Sequence, residues 1–240
     1  MNEKCLTFLE NYQKHYNEVP HYMEPENPIC IIVNCCNSKD NIKTKTEAIN
    51  RYAGEDFNML RTLKFGDINH PEYKRDKFDL YILSAQYGLI PYTALIDKYN
   101  ITFNDLTDTE LEEISSQLNI RNDIDKVLSK YKQVFILLGD KYRKTLNLKI
   151  PFNTEAELVY FELDKNVGTL NAIKSSKIYP IKFTEDLVKI FKTVLINVKM
   201  KTIFSLFQAY PNYDFIDNSS LINLFIESKR NTKKISIWDK

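Results

Sequence analysis

The chain has 240 residues, of which 33 are Lys or Arg and 32 are Asp or Glu, so its formal net charge is +1. Hydrophobic residues make up 43% and charged residues 27%, a composition typical of folded globular proteins rather than of disordered chains. The sequence has no run of the roughly 20 apolar residues that a membrane-spanning helix needs, and its first residues, MNEKCLTFLENYQ, lack the apolar stretch of a secretory signal. We therefore expect a cytoplasmic protein without a membrane partner.

Glycine and charge are unevenly distributed. Five glycines in 240 residues are about 2%, against about 7% in an average protein, so each is expected where the backbone requires it. Residues 104–125 contain seven acidic residues and one arginine, and residues 165–201 contain eight lysines and two acidic residues. We interpret the acidic stretch as a solvated helix surface. The lysines suit either a solvated helix face or contacts with a phosphate backbone.

All the cysteines, Cys5, Cys30, Cys35 and Cys36, lie near the N-terminus. Adjacent Cys35 and Cys36 cannot easily form a disulfide with each other, and no C-x-x-C pair or nearby His completes a zinc site. We therefore expect reduced cysteines, no metal and no cofactor.

Helical and strand-like apolar patterns alternate along the first half of the chain. The spacing predicts an amphipathic helix over 5–16 and an extended segment at Pro20, Pro25 and Pro28. Ile29–Val33 is a continuous apolar run of the kind that fills the centre of a parallel sheet. Residues 46–64 have helical spacing with an interruption at Gly54.

The second half continues the alternation. A capping box at Thr107 and Glu110 predicts the start of a helix. Further strands are predicted at Leu80–Leu83, Val134–Leu138 and Leu158–Leu163, and further helices at Thr184–Phe207 and Ser219–Arg230. The pattern indicates an open, mainly parallel α/β sheet. We expect an α/β domain over 1–163 and a helical, Lys-rich C-terminal extension over 164–240 packed on it.

Polar loops follow three of the predicted strands. They span 34–40, 84–91 and 139–142, and two of the five glycines, Gly88 and Gly139, lie in them. Ligands of open α/β sheets bind beyond the carboxyl ends of the strands, so these loops predict one shared polar site. The Walker and G-x-G-x-x-G phosphate loops are absent from the sequence. Cys35 has no His near it in sequence, which favours a packing residue under the site over a nucleophile.

The motifs in these loops resemble a known group of proteins. The segments VNCCNSKD, ILSAQYGLIP, DKYNIT and LLGDKY are similar to the pattern C-x-x-x-K, L-S-A-x-[HY]-G-L, Y-[DN]-x-T and G-x-x-Y of a bacterial family of small uncharacterised proteins. The chain also resembles the archaeosine-synthase domain that carries P-C-x-x-x-K. Cys35 and Lys39 match the first motif, Ser84 the second, and Tyr99 and Thr102 the third. The resemblance covers about 28–148.

The resemblance implies both a fold and an activity. The archaeosine-synthase domain is similar in fold to uracil-DNA glycosylases, and anti-phage DNA glycosylases that excise hypermodified bases are similar to this group. The implied protein is a three-layer α/β domain that removes a modified, for instance glucosylated, base from DNA, in defence against phage. The alternatives are an enzyme acting on tRNA or free nucleotides, and a non-catalytic module that binds modified nucleic acid.

Glycosylase chemistry assigns roles to the loop residues. A carboxylate or amide must position water at the sugar, and donors must stabilise the leaving base. The candidates for catalysis are Asn37, Asp40 and Asp97. The candidates for binding base and sugar are Asn34, Cys35, Ser38, Lys39, Ser84, Gln86, Tyr87, Gly88, Tyr99 and Asn100, with the tyrosines as stacking surfaces. The candidates for binding phosphate are Lys141, Tyr142, Lys174 and Lys177. Structural alternatives are that Asp40 caps a helix, that Asp97 pairs with Lys98 or Lys141, and that Tyr87 or Tyr99 belongs to the core.

Overall fold

The chain forms an α/β fold in which helices accompany a mainly parallel central sheet. The computed structural model describes residues 1–66, 77–146, 152, 154–163, 178–183, 189–190, 198–209 and 225–229. Among these residues, no helix has the length and apolar content needed to cross a membrane.

The described strands form two sheets. They are β1 Ile29–Asn34, β2 Thr46–Glu47, β3 Asp79–Ser84, β4 Gly88–Pro91, β5 Leu95–Ile96, β6 Gln133–Leu137, β7 Glu157–Leu163 and β8 Ile178–Phe183. The central sheet has the order β4-β3-β1-β6-β7-β8, in which every neighbouring pair is parallel except β3 and β4. β2 and β5 form a separate antiparallel pair.

The helices surround these strands in chain order. They are α1 Glu3–Tyr16, α2 Ala48–Arg51, α3 Glu55–Phe65, α4 Asp108–Ser115, α5 Ile120–Leu128, α6 Asp140–Lys144 and α7 Val198–Ala209, with a short 3-10 turn at Phe103–Asp105. Residues 189–190 and 225–229 are also helical. The described parts of the two predicted C-terminal helices are therefore helical.

The centre of the sheet confirms the predicted apolar strands. Ile31 lies in register between Leu80 of β3 and Phe135 of β6, and all three side chains are fully buried. The predicted strand at Leu158–Leu163 is confirmed as β7. Continuous apolar runs predict these strands well because strands with neighbours on both sides bury both faces.

The predicted helix starts are also confirmed. Thr107 and Glu110 form both hydrogen bonds of a capping box at the start of α4. The predicted interruption at Gly54 separates α2 from α3, because Gly54 is the N-cap of α3 in an extended conformation.

The structure corrects the predicted boundary at residue 163. β8, within the segment expected to be a helical extension, pairs in parallel with β7. The central sheet therefore continues across the boundary. β8 is an edge strand, and an edge position accepts Pro180 because proline cannot donate a ladder hydrogen bond.

The loop after β3 is also different from the predicted one. It is a tight hairpin in which Ser84 pairs with Gly88 and β4 returns antiparallel to β3. Gly88 has φ +76, and a Cβ at this position would lie 2.8 Å from Tyr12 Oη and 3.0 Å from Tyr16 Cδ2. Gly88 therefore packs against α1, and the structure contradicts its predicted contact with base or sugar.

We expect Gly88→Ala to lower the free energy of unfolding by about 3 kcal/mol, because the left-handed backbone and the overpacking against α1 both disfavour a Cβ. Gly139→Ala is the matched control, since Gly139 has φ −72 and its Cβ would lie 3.6 Å from Asn34 Oδ1, an ordinary contact. The control should change stability by less than about 0.5 kcal/mol. Urea denaturation followed by circular dichroism measures both, and equal losses would contradict the steric argument.

The strand order defines a switch point between β1 and β6. From β1 the chain first builds β3 on one side of it and later places β6 on the other side. The carboxyl ends of two such strands border the crevice in which open α/β sheets bind ligands. The loops after β1, β3 and β6 therefore meet at this edge.

Candidate functional site

Six polar side chains meet beyond the carboxyl ends of β1, β3 and β6. We refer to them as the hydroxyl cluster: Cys35, Tyr52, Ser84, Tyr99, Thr102 and Tyr142. Tyr99 Oη lies 2.7 Å from Tyr52 Oη and 2.8 Å from Ser84 Oγ. Ser84 Oγ also accepts hydrogen bonds from the backbone N–H groups of the hairpin after β3. These hydrogen bonds of Tyr52, Ser84 and Tyr99 therefore join the hairpin turn after β3 to the loop that carries Tyr99.

The other half of the cluster joins the β1 and β6 loops. Tyr142 Oη lies 3.0 Å from Cys35 Sγ and 3.3 Å from Thr102 Oγ1. Cys35 also interacts with Tyr99, so the thiol connects the two halves. Beside the cluster, Asn34 Oδ1 accepts a hydrogen bond from the Gly139 N–H at 2.9 Å. Asn34 therefore connects the same two loops.

The three tyrosines of the cluster are neutral at physiological pH. Burial raises the pKa of Tyr52, Tyr99 and Tyr142, and the nearby Cys35 raises each of these pKa values further. The phenols therefore keep their protons and act as neutral hydrogen-bond donors.

The hydroxyl cluster forms the floor of the site rather than its contact surface. Cys35 is 5%, Tyr142 4% and Ser84 0% exposed. Asn37, Ser38 and Asn100, in the loops that carry Cys35 and Tyr99, are exposed. In the described part of the chain, no hydrogen bond of their side chains is found. We refer to these three residues as the rim, and their amide and hydroxyl groups are free to meet a ligand.

Lys39 lies between the floor and the rim. Its Nζ is 4.3 Å from the centroid of the Tyr99 ring and 5.8 Å from that of Tyr52, and it donates a hydrogen bond to the Cys36 carbonyl at 3.2 Å. Burial lowers the pKa of the Lys39 ammonium, and the neighbouring Lys98 ammonium also lowers it, while the two cysteines oppose the shift. Lys39 is thus a half-buried amine within the site.

Asp40 has a structural partner that the sequence did not reveal. Arg51 is fully buried, and its Nη1 donates to Asp40 Oδ1 at 2.5 Å. The same guanidinium donates to the carbonyls of Ile42, Thr44 and Ile96. The Asp40 carboxylate therefore neutralises a buried cation. It does not cap the following helix, and it is not a free catalytic carboxylate.

Asp97 lies on the surface next to the rim. Its side chain is 49% exposed, and its Oδ2 is 3.7 Å from Lys45 Nζ. The structure thus corrects the alternative pairing of Asp97 with Lys98 or Lys141. Lys98 instead donates to Asn41 Oδ1 at 2.8 Å.

The predicted stacking and base-edge residues of the β3 loop are buried. Tyr87 is 1% and Gln86 6% exposed, and the Tyr87 ring packs edge-on against Tyr99 with centroids 5.5 Å apart. Tyr87 Oη accepts a hydrogen bond from the Asp97 N–H at 3.3 Å. Tyr87 is a core residue that holds the Tyr99 loop, and a base stacked on it would require the hairpin to open.

The predicted phosphate contacts also need correction. Lys141 Nζ donates to the Leu106 carbonyl at 2.7 Å and to Asp108 Oδ1 at 2.8 Å, so its charge faces the acidic start of α4. The hydrogen bonds from Lys141 and Lys144 lower the pKa of Asp108 to about 2. Tyr142 belongs to the buried floor. The remaining candidates, Lys174 and Lys177, lie outside the described residues.

Two ionisable residues beside the site were not among the predicted ones. Lys199 of α7 donates to the Leu138 carbonyl at the end of β6 at 2.8 Å, and burial lowers its pKa to about 8. Burial also raises the pKa of Asp56 in the first turn of α3 to about 6, against the opposing effect of Lys199. Asp56 Oδ1 is buried without a hydrogen-bond partner among the described residues. Such shifts require tertiary burial, so no local sequence pattern indicates them.

The fold and site define an α/β protein with a buried polar cluster of tyrosines, other hydroxyl groups and a thiol at the switch point of its sheet. Residues 30–158 match the family described as "Family of unknown function (DUF6884)". The match covers more than half of the chain, so the chain belongs to this family. The whole hydroxyl cluster, Lys39 and the rim lie within the matched range. No curated protein and no solved structure gave a match.

Proposed function

We propose that the chain is an N-glycoside hydrolase that removes a modified base from DNA, on a three-layer α/β fold like that of the uracil-DNA glycosylases. The proposal joins the motif resemblance to the geometry of the site. Its biological setting would be defence against phage whose DNA carries hypermodified bases, and the partner would be that DNA.

One observation carries the proposal. The four motifs shared with the bacterial family of small proteins, three of which also resemble archaeosine synthase, are up to 107 residues apart in sequence, yet Cys35, Ser84, Tyr99 and Tyr142 lie in one hydrogen-bonded cluster. Side chains from separate segments are expected to converge in this way where a ligand is held. The motifs therefore behave as parts of one site.

The rim offers the groups that bond cleavage needs. Breaking an N-glycosidic bond leaves positive charge on the sugar and negative charge on the base, so water must be positioned on one side and donors on the other. In this proposal the exposed amide of Asn37 orients water, and the Lys39 ammonium donates to the departing base. Asp97, three residues before Asn100 of the rim in sequence, can offset the charge on the sugar. Asn100 can contact a base edge.

A second candidate function is a non-catalytic module that binds modified nucleic acid. The observation that favours it is the state of the two predicted carboxylates: Asp40 is bound to buried Arg51 and Asp97 lies near Lys45. A module would need the rim and Lys39 for binding but no free carboxylate.

The test is incubation with plain, hydroxymethylated and glucosylated duplex DNA, with tRNA and with free nucleosides, followed by assay for abasic sites that break in alkali. We expect abasic sites on one of the modified DNAs and none on plain DNA. If the chain instead exchanges or releases bases only in tRNA or free nucleosides, the result would indicate an enzyme related to archaeosine synthase. Retained binding without an abasic product on any substrate would favour the module.

A further inference from the structure

The backbone around Lys39 is held unusually firmly for a loop. Lys39 forms an antiparallel bridge with Tyr52. On either side of it, the Asp40 N–H donates to the Arg51 carbonyl and the Ala53 N–H donates to the Ser38 carbonyl, both at 3.0 Å. The amine of Lys39 is thus presented from a fixed position, which is what a reacting group needs.

Burial removes part of the hydration that stabilises the charged form of the amine, which lowers its pKa. Its Nζ lies against the rings of Tyr99 and Tyr52, and within the described ranges no carboxylate forms an ion pair with it. Its one hydrogen-bond acceptor there is the Cys36 carbonyl. A lysine that is partly desolvated and not paired with an acid is the kind that reacts with carbonyl compounds to form imines.

We propose that Lys39 forms an imine with the aldehyde of an abasic deoxyribose, so that the protein also cleaves the DNA strand at an abasic site. This further activity rests on the proposed function in one respect, because base removal creates the aldehyde. The substrate class is any DNA that contains an abasic sugar, whatever base was lost.

The proton and electron balance of the reaction sequence is closed. Departure of the base breaks the C1′–N bond, the base takes the electron pair, and the Lys39 ammonium gives it a proton and becomes a free amine. Water adds to C1′ and gives one proton to the solvent, and the resulting hemiacetal opens to the aldehyde as its hydroxyl proton passes to the ring oxygen. The amine then condenses with the aldehyde, which forms the C1′=N bond and releases one water.

Strand cleavage proceeds from the imine. The imine nitrogen takes up a proton from water, and the C2′ proton passes to water, so that a neutral C1′–C2′ enamine forms. The C3′–O bond then breaks with its electron pair leaving on the 3′ phosphate, and the nitrogen gives its proton back to water, which leaves an unsaturated imine. Water then hydrolyses the unsaturated imine, which returns the Lys39 amine and releases an unsaturated aldehyde on the 5′ strand. No oxidant, reductant or metal is consumed.

The experiment uses the full chain and a duplex whose abasic site has been made beforehand from deoxyuridine by a uracil-DNA glycosylase. Sodium cyanoborohydride reduces an imine to a stable amine, so a covalent protein–DNA adduct reports the intermediate, and mass spectrometry of the linked peptide identifies the lysine. The variants are Lys39→Arg, which keeps the charge but removes the reactive amine, and Lys43→Ala as a control that removes an exposed amine of the same loop.

We expect the wild-type chain and Lys43→Ala to form the adduct at Lys39 and to nick the strand. Lys39→Arg should lose both by about 100-fold, the scale of removing a catalytic group, while keeping the wild-type thermal transition. No adduct with the wild-type chain, or an adduct of unchanged yield in Lys39→Arg, would overturn the proposal.

The outcome is independent of base removal, because the abasic site is supplied. A chain that forms the Lys39 adduct but releases no base from any modified DNA would refute the proposed glycosylase and keep the reaction with abasic sites. A chain that releases base but forms no adduct would support the proposed glycosylase and refute the reaction of Lys39 with abasic sites.

Discussion

We expect Arg51→Met to lower the free energy of unfolding by about 4 kcal/mol, the scale of breaking a buried ion pair by removing one partner. The guanidinium is fully buried and donates to the Asp40 carboxylate and to the carbonyls of Ile42, Thr44 and Ile96. Methionine fills much of the volume but removes the guanidinium donor from all four acceptors. Urea denaturation followed by circular dichroism measures the loss.

Asp40→Asn and Lys45→Met are the matched comparisons. Asn at 40 can still accept from Arg51 but no longer neutralises it, so the loss should be smaller, about 2 kcal/mol. Lys45 is an exposed partner in a 3.7 Å contact, and surface pairs contribute less than about 1 kcal/mol. If Arg51→Met lost no more stability than Lys45→Met, the structural role of the Asp40–Arg51 pair would be wrong.

We expect Asn37→Ala to slow base release by about 100-fold, the scale of removing a group that positions or activates a reacting water. The side chain is exposed, so its removal should leave the free energy of unfolding within about 0.5 kcal/mol of wild type. The measurement is single-turnover release of the modified base, with enzyme in excess of DNA.

Asn122→Ala controls for loss of a surface amide, because Asn122 lies exposed on α5, which packs against the β4 edge of the sheet. It should release base at the wild-type rate. Equal rates in Asn37→Ala and wild type would remove Asn37 from the mechanism and leave Asp97 as the group to test. A rate loss in Asp40→Asn alone would have to be corrected for its loss of stability.

The central strands and the switch-point edge could be predicted from sequence because burial on both faces leaves an unbroken apolar run. Ile29–Val33 is such a run, and the polar residues directly after it had to lie at the carboxyl edge. β8 was not predictable in the same way, since its IYPIKF sequence contains a proline and lies beyond the end of the expected domain. Only its pairing with β7 makes it a strand.

α5 was missed although a signal was present. Its buried residues, Ile120, Ile124, Val127 and Leu128, recur at the spacing of one helix face. The acidic residues around them suggested only a solvated, charged surface. In the hairpin after β3, the presence of Gly88 indicated an unusual backbone conformation. Nothing in the sequence indicated that a Cβ at this position would face α1.

Which residues make up the site was partly predictable from the sequence, but the role of each residue was not. The motifs identified Cys35, Ser84, Tyr99 and Tyr142 as neighbours. Whether a side chain faces a ligand or the floor depends on the packing of remote elements. Arg51 lies 11 residues from Asp40 in sequence, and Asp108 lies 33 residues from Lys141. No local pattern indicates such partners, so Asp40 and Lys141 were assigned to ligand contacts.

The most direct test of the proposed glycosylase is mass-spectrometric detection of the base released from glucosylated duplex DNA, with abasic sites counted on the same sample. We predict free modified base and abasic sites in equal amounts for the wild-type chain, and a much slower release for Asn37→Ala at unchanged DNA binding. DNA that is bound by the wild-type chain but yields neither free base nor abasic sites would contradict the proposal.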